Sequence, residues 1–381
     1  MHHASSAASL PDAAFATAFA DALIDWFRRA RRPLPWRVTY SPYHVWISEI
    51  MLQQTQMERG VRYFTRWMET LPDLAAVAAA DEEVILRLWE GLGYYSRARN
   101  LHKAARVIME RHGGRFPSQL DDIRALPGVG PYTAAAIASI AFRQDVPCVD
   151  ANVERVLSRV FDIDTPVKAE PAASRIRALS CALLPRGRAR DYNQAMMELG
   201  ALVCGKKPRC AACPLAFCCM ARQRGVAEQR PVPPVRAEAR AVEAVAGVIA
   251  HRGRIFIRKR PAGVVWGGLW EFPGGPVAAG ESPEEAVVRR CREATGFQVR
   301  VREKLAVIRH SYTSHRVALH CFALVLEGPP ALLETPEPSA REAELCRWEP
   351  EGSLADWAMP AAHRRLVDMC CGAGAAPRLP L

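Results

Sequence analysis

The amino-acid sequence predicts a protein of two domains, in which an all-α half is followed by an α+β half. The chain has 381 residues, half of them hydrophobic, which suffices for two domains of ordinary size. Apolar residues recur at helical spacing in four segments of the first half: 15–27, 45–63, 83–92 and 133–141. The second half has β-rich runs instead, with one helical pattern over residues 283–294.

The boundary between the halves follows from composition. Residues 231–240 read PVPPVRAEAR, a proline-rich stretch that is typical of an extended, stiff linker. We therefore predict a helical domain over residues 1–229, a linker over 230–241 and a second domain over 242–381.

Composition and charge narrow the class of protein. The formal net charge of +11 fits a polyanionic partner such as nucleic acid. No apolar run reaches about 18 residues, so we expect no membrane span. The start of the chain lacks the basic and apolar stretches of a secretion signal. Five of the 12 cysteines lie between Cys204 and Cys219, which favours a reduced, cytoplasmic protein with one cysteine-bound metal centre.

A glycine hairpin stands in the segment LPGVGPYTAAAIASIA, residues 126–141. We expect a helix that ends before Pro127, a turn, and a second helix that begins near Tyr132. Gly128 and Gly130 allow a tight turn and close approach to a ligand, and the free N–H groups of the second helix can bind a phosphate. A simple corner between two helices is the alternative interpretation.

Two acidic residues lie in contexts suited to acid–base chemistry. Asp150 precedes a helical pattern in VDANVERV, where it can cap the helix and also stabilise positive charge on a substrate. Glu49 lies in VWISEIMLQQTQ among Ile47, Ile50 and Met51. A lone Glu on a helix is most often exposed, whereas burial among these neighbours would raise its pKa toward that of a general acid.

These motifs resemble those of the helix-hairpin-helix DNA glycosylases, and the run around Glu49 is similar to that of the adenine glycosylase (MutY) family. The resemblance implies that Glu49 protonates a ring nitrogen of adenine and that Asp150 faces the sugar of a flipped nucleotide. Asn152 is then either a polar partner near the sugar or an ordinary helix residue. Tyr132 stands where relatives such as endonuclease III carry a Schiff-base lysine, so we expect base excision without strand nicking.

Further DNA contacts are expected in the segment GLGYYSRARNLHKAA, which joins an aromatic pair to basic residues. By the resemblance, Tyr94 and Gln54 are candidates for the wedge side chain that fills the gap left by a flipped base. Core packing is the alternative for Tyr94. Arg97 suits contact with phosphate, or else a solvated helix face.

The cysteine cluster has the spacing Cys204-x5-Cys210-x2-Cys213-x5-Cys219. Four thiolates in one short loop indicate a metal centre, and both zinc and a [4Fe–4S] cluster accept such ligands. The resembled family carries a structural [4Fe–4S] cluster at an x6-x2-x5 spacing, so the first gap here is one residue shorter. Cys218 is a second candidate for the fourth ligand, but Cys219 matches the family spacing. No catalytic metal is expected.

The second half resembles a Nudix box. The positions that match the pattern of the enzymes are Gly275, Glu281, Arg289, Glu293, Gly296 and Phe297. Arg290 and Ala294 replace two helix glutamates, which opposes the binding of a hard divalent cation. We therefore expect a Nudix-like binding domain without pyrophosphatase activity.

In the MutY family such a domain recognises 8-oxoguanine through a loop that reads Phe-Ser-His. The corresponding segment here is RHSYTSHRVALH. His310 fits the histidine before the loop, and Tyr312, Thr313 and Ser314 align with the loop itself, unless a shift by one residue brings in His315.

The predicted function is removal of adenine mispaired with 8-oxoguanine or guanine in double-stranded DNA. We expect a cytoplasmic monomer, nucleoid-associated if bacterial. The alternatives are an endonuclease III-like glycosylase/lyase, a DNA-binding scaffold and a nucleotide hydrolase. Tyr132 and the second domain argue against the first, Glu49 and Asp150 against the second, and the altered Nudix helix against the third.

Overall fold

The first half of the chain contains helices and loops, and no strand, in the part that the structure describes. The computed structural model describes residues 10–234, 240–261, 263–312, 315–327 and 345–371. The helices of the first half are α1 (Ala13–Ala30), α2 (Pro42–Leu52), α3 (Met57–Thr70), α4 (Leu74–Ala79), α5 (Glu82–Trp89), α6 (Ser96–Arg111), α7 (Leu120–Arg124), α8 (Pro131–Ile140), α9 (Ala151–Val160), α10 (Ala172–Ala182), α11 (Ala189–Leu202) and α12 (Met220–Gln223).

The main helical core lies where α1, α9 and α11 meet. Each of these helices presents an apolar stripe to the others, represented by Phe19, Leu157 and Leu199. The N-cap of α1 is Asp12, whose carboxylate accepts a 2.8 Å hydrogen bond from the backbone N–H of Phe15.

The predicted glycine hairpin is confirmed. α7 ends at Arg124, before Pro127, and α8 begins at Pro131, next to Tyr132. Every α8 residue from Thr133 to Ile140 is buried. The small alanine side chains of α8 allow neighbouring helices to approach closely, so the hairpin rests on a rigid base.

In the described part of the second half, a mixed sheet has a helix packed against each of its faces. Its strands are β1 (Arg240–His251), β2 (Arg254–Lys259), β3 (Trp270–Glu271), β4 (Gly274–Pro276), β5 (Val299–Tyr312), β6 (His315–Leu326) and β7 (Cys346–Pro350). The strand order is β3-β2-β1-β6-β5, with β4 paired to β1 and β7 to β2. β1 runs parallel to β6, and the other pairs are antiparallel.

Side-chain alternation along the strands builds a core on each face of this sheet. Val245 and Ile249 of β1 pack in the core that includes α13 (Pro283–Thr295). Ala246 and Val248 face the other way, into the core that includes α14 (Ala361–Cys371). The predicted α+β class of the second half is thus confirmed.

The described chain divides into two compact units. One contains residues 10–79 and 100–234, and the other contains residues 80–99 together with those from 240 onward. The segment with α5 and Tyr94 thus groups with the second half, which the sequence pattern did not predict. The predicted domain limits at 229 and 242 stay predictions, although β1 already begins at Arg240, inside the predicted linker.

Candidate active site and cysteine loop

An open cleft of about 930 Å³ in the helical unit brings together residues that are far apart in sequence. Its lining includes all four predicted catalytic residues and one wedge candidate: Glu49, Tyr132, Asp150, Asn152 and Gln54. α2, α8 and α9 supply the first four, so packed helices set their positions.

Glu49 is buried on α2, with 9% of its surface exposed. The hydroxyl of Tyr132 donates a 2.7 Å hydrogen bond to Oε2 of Glu49. Burial raises the pKa of Glu49 to about 7 and the charge of Asp150 adds to this, while the Tyr132 hydrogen bond and Arg37 oppose it. Because such a carboxyl is partly protonated at neutral pH, it can serve as a general acid.

Asp150 is the N-cap of α9, which is one of the two roles predicted for it. Oδ1 accepts a 2.8 Å hydrogen bond from the backbone N–H of Val153, and Oδ2 accepts one of 2.7 Å from the amide of Asn152. Both oxygens are therefore held by α9 while the residue lines the cleft. Asp150 can therefore cap α9 and face a ligand in the cleft at the same time.

Asn152 links this carboxylate to the cysteine loop. Its side-chain oxygen accepts a 2.7 Å hydrogen bond from Nη2 of Arg155. Nε of Arg155 in turn donates to the backbone carbonyl of Cys204, also at 2.7 Å. A continuous set of hydrogen bonds thus orients Asp150 from the direction of the cysteines, so Asn152 is more than an ordinary first-turn residue.

The two hairpin glycines differ in conformation. Gly128 has a φ of +75°, and a Cβ there would lie 2.5 Å from Cβ of Asn100, so both the turn and the packing require glycine. Gly130 is extended, with a φ of −84°, and no atom beyond its chain neighbours lies within 4 Å of the place of a Cβ. Gly130 therefore does not need glycine for its φ, and its bare backbone leaves space at the start of α8, where close approach to a ligand stays a prediction.

A buried ion-pair network on the cleft wall was not predicted. Arg32 donates to both carboxylate oxygens of Glu198, at 2.8 and 2.9 Å, and Arg37 donates to it at 2.9 Å. Burial alone would raise the pKa of Glu198, but these hydrogen bonds outweigh it and hold the pKa at about 2. No local pattern pairs Glu198 with arginines more than 150 positions away, so no sequence signal could have found them.

The wedge candidates share an unusual backbone conformation. Gln54 has a φ of 58° and Tyr94 a φ of 50°. Non-glycine residues adopt this left-handed region rarely, and such strain concentrates at functional sites. Tyr94 is 40% exposed, so the alternative of core packing is wrong for it.

Arg97 is less available for contact with phosphate than the sequence predicts. Its Nη2 donates to the carbonyls of Leu92 and Gly93, and its guanidinium lies 5.4 Å from the ring centroid of Trp89. Burial lowers the pKa of the group. Its contact with phosphate stays a prediction.

Four cysteines line one small cavity in the loop that follows α11. They are Cys204, Cys210, Cys213 and Cys219. Cys218 does not line this cavity; it packs against the helical core, with Sγ 3.5 Å from the carbonyl of Leu215. Nη1 of Arg159 donates to Sγ of Cys204 at 3.2 Å, so a guanidinium lies beside one of the four sulfurs.

Zinc and a [4Fe–4S] cluster require different separations of four cysteine sulfurs. Among the described residues, no three His, Cys, Asp or Glu side chains could hold a single metal ion. Tetrahedral zinc would need its sulfurs about 3.8 Å apart. A [4Fe–4S] cluster binds each cysteine to a different iron at the corners of a cube, so its cysteines stand farther apart. Four cysteines that line one cavity provide the donor set that either centre uses.

The Nudix-like helix carries no free pair of carboxylates at the matching positions. Arg289 donates to both oxygens of Glu281, at 2.7 and 2.6 Å. Arg290, one of the two replacements, donates to Glu293 at 3.1 Å. Guanidinium groups thus occupy the oxygens that a divalent cation would need.

The predicted lesion-reading segment is described in part. His310 lies on β5, with its ring 6.0 Å from that of Trp266. β5 ends at Tyr312 and β6 begins at His315, while Thr313 and Ser314 lie outside the described residues. The roles of these residues stay predictions.

No helix among the described residues is both long and apolar enough to span a membrane.

Known proteins match both halves of the chain. The model of the HhH-GPD superfamily of base excision DNA repair proteins matches residues 47–180, and that of the NUDIX domain matches 244–369. A solved thermostable thymine-DNA glycosylase has a TM-score of 0.51 and 29% identity, over 56% of this chain and 100% of that one. Fold and site thus define a helix-hairpin-helix base-excision domain joined to a Nudix-like domain.

Two relatives of this chain are adenine DNA glycosylases. The adenine DNA glycosylase of Mus musculus is 33% identical over 87% of this chain and 74% of its own length. That of Homo sapiens is 44% identical over 57% of this chain, which spans 42% of that relative. The chain belongs to the adenine DNA glycosylase (MutY) family.

Proposed function

We propose that this chain hydrolyses the N-glycosidic bond of adenine mispaired with 8-oxoguanine or guanine in double-stranded DNA. The observation that carries the proposal is that Glu49 is buried, accepts a hydrogen bond from Tyr132 and lines the same cleft as Asp150, the N-cap of α9. One carboxyl is suited to donate a proton and the other to face positive charge. Protonation of the leaving base and stabilisation of the positive sugar both favour cleavage of an N-glycosidic bond.

In this proposal the protonated Glu49 donates to a ring nitrogen of the flipped adenine, so that the base leaves neutral. Positive charge then develops on the sugar, and the carboxylate of Asp150 stabilises or attacks it. Water is the final acceptor of the sugar. The hydrogen bonds from Val153 and Asn152 keep Asp150 oriented while the bond breaks.

Strand scission should need a separate step, because Tyr132 provides no amine for a Schiff base. The test is a labelled duplex with 8-oxoguanine opposite adenine, treated with or without alkali after incubation. We expect cleavage after alkali alone, and none when cytosine replaces the adenine. Absence of alkali-sensitive sites would contradict the proposal. Cleavage without alkali, with efficient borohydride trapping, would support the glycosylase/lyase alternative instead.

Excision should also depend on pH in a defined direction. The acid form of Glu49 is the active one, and its pKa is about 7. We therefore expect the single-turnover rate to be constant below neutral pH and to fall about tenfold per pH unit above the pKa. Single-turnover excision measured across neutral pH would check this, and a rate that rises with pH would exclude Glu49 as the acid.

We further propose that Cys204, Cys210, Cys213 and Cys219 hold a [4Fe–4S] cluster. When bound, such a cluster cross-links the loop and plays no part in bond cleavage. Lys206, Lys207 and Arg209 are exposed in the same loop, where their charges suit the DNA backbone.

Replacing Cys219 and Cys218 separately tests the choice of fourth ligand. We expect Cys219→Ala to lose two signs of a cysteine-ligated cluster, namely the absorbance shoulder at about 400 nm and an iron content of about four per chain. The matched Cys218→Ala variant should retain both, because Cys218 does not line the cavity. The reverse result would assign the ligand to Cys218, and zinc alone in anaerobically purified protein would exclude the cluster.

The second domain is proposed to recognise 8-oxoguanine, with His310, Tyr312, Thr313 and Ser314 at the lesion. The pairing of Glu293 with Arg290, which stands in place of a helix glutamate, supports a binding role over pyrophosphatase activity. We also propose that the enzyme is a cytoplasmic monomer with the domain limits predicted above.

A further inference from the structure

The hydroxyl of Tyr132 has two acceptors within reach but only one proton. Oη lies 2.7 Å from Oε2 of Glu49 and 3.1 Å from Sδ of Met197. A tyrosine hydroxyl can donate a single hydrogen bond. Tyr132 therefore donates to Glu49 or to Met197, and which of them receives the proton depends on the protonation state of Glu49.

With Glu49 ionised, its carboxylate is the stronger acceptor and takes the Tyr132 proton. With Glu49 protonated, the carboxyl can donate to Oη of Tyr132 across the same 2.7 Å contact. The proton of Tyr132 then needs another acceptor, and Sδ of Met197 is in place. Met197 lies on α11, is half-buried and lines the cleft.

We propose that Met197 is a positioning residue for adenine excision, whose thioether accepts the Tyr132 proton while Glu49 carries its own. When a base is in place, the single carboxyl proton of Glu49 leaves Oη of Tyr132 and passes to the base, and Tyr132 turns its own proton from Met197 to the new carboxylate and stabilises it. The inference rests on the proposed function, because it assigns Met197 a part in the acid step.

The charged and titratable groups around Glu49 come from several elements. Arg37 lies on the short helix Pro35–Arg37, Cys148 precedes α9, and Asp150 caps it. Arg37 is bound to Glu198 and Asp150 is bound to α9, so neither reorients as Glu49 titrates. Tyr132 differs from them, because it can either donate to Glu49 or accept from it.

A thioether suits this role because it is a weak acceptor. It satisfies the hydroxyl in the acid form yet gives the proton up as soon as Glu49 becomes negative. A carboxylate at this position would hold the proton permanently. An aliphatic side chain would leave the hydroxyl bonded to Glu49 in both states.

Met197→Leu removes the acceptor while nearly conserving volume. Tyr132 then donates to Glu49 continuously, which favours the ionised form. We expect the alkaline limb of the pH–rate profile to move to lower pH by about half a unit to one unit. Met197→Gln supplies an amide oxygen and should return the limb toward its wild-type position. Single-turnover excision across pH, with thermal melting to verify folding, measures both effects.

Two controls separate this mechanism from packing. Met196→Leu is the same substitution at a neighbouring residue that is buried in the helical core, and it should leave the profile unchanged. In a Tyr132→Phe background, Met197→Leu should produce no further shift, because the hydroxyl is gone. An unshifted Met197→Leu profile, or an equal shift in the Phe background, would overturn the inference. Wild-type protein inactive on the mispaired duplex would instead overturn the proposed function.

Discussion

Replacement of Glu49 by Gln is expected to lower the single-turnover rate of adenine excision by about 10²–10⁴-fold, the usual contribution of a positioned general acid. Gln has nearly the shape of Glu and can still accept the hydrogen bond of Tyr132 through its amide oxygen. It cannot donate an acidic proton to the base. Because burial raises the pKa of Glu49 to about 7, the wild-type protein has a substantial acid form to lose.

Binding of the mispaired duplex should survive this substitution, since the change removes no cation and creates no cavity. Fluorescence anisotropy with the mispaired duplex measures binding, and alkali-revealed cleavage measures excision. Glu69→Gln, an exposed position near the end of α3, is the matched control and should behave as wild type. Excision by Glu49→Gln at the wild-type rate would refute the acid role and favour a DNA-binding function with chemistry elsewhere.

Replacement of Asp150 by Asn should lower excision by about 10²–10³-fold or more, as expected when a group aimed at developing charge is lost. Asn caps helices about as well as Asp, so the 2.8 Å hydrogen bond to Val153 can persist. The substitution therefore removes the negative charge and the hydrogen bond from Asn152, while the cap of α9 is kept. The charge is needed once the sugar becomes positive, so binding of the intact duplex should change little.

Asp12→Asn provides a control that is matched in both chemistry and geometry. Asp12 is the N-cap of α1 and accepts a 2.8 Å hydrogen bond from Phe15, but it does not line the cleft. If Asp12→Asn and Asp150→Asn had equal effects on excision, the loss would come from capping and not from catalysis. Melting temperatures of the two variants indicate whether either helix is weakened.

Much of the site could be predicted because its signals are local. The hairpin follows from two glycines and a proline ahead of an alanine-rich helix, and the cap at Asp150 from its place before an apolar periodicity. The spacing of the four cysteines is likewise a local signal, because all four lie in one loop. In each case the structure follows from residues within a few positions of one another, where backbone geometry and short-range hydrogen bonds decide.

Other features could not be predicted, because they depend on contacts between distant residues. Nothing near Glu198 in sequence indicates that Arg32 and Arg37 neutralise it. The grouping of residues 80–99 with the second unit is another example. The conformations of the two hairpin glycines are a third example, since only Gly128 has a positive φ and Gly130 is extended.

The sequence by itself determined the two-domain class, the hairpin, the capping aspartate and the set of cysteines available to a cluster. The tertiary structure alone decided that Glu49 is buried against Tyr132, that Met197 competes for the same hydroxyl proton, and that Cys219 rather than Cys218 lines the cavity. The physical reason is that desolvation and hydrogen-bond competition depend on which side chains meet in space. The acidity of Glu49 is therefore a property of the packed helices and not of the segment that contains it.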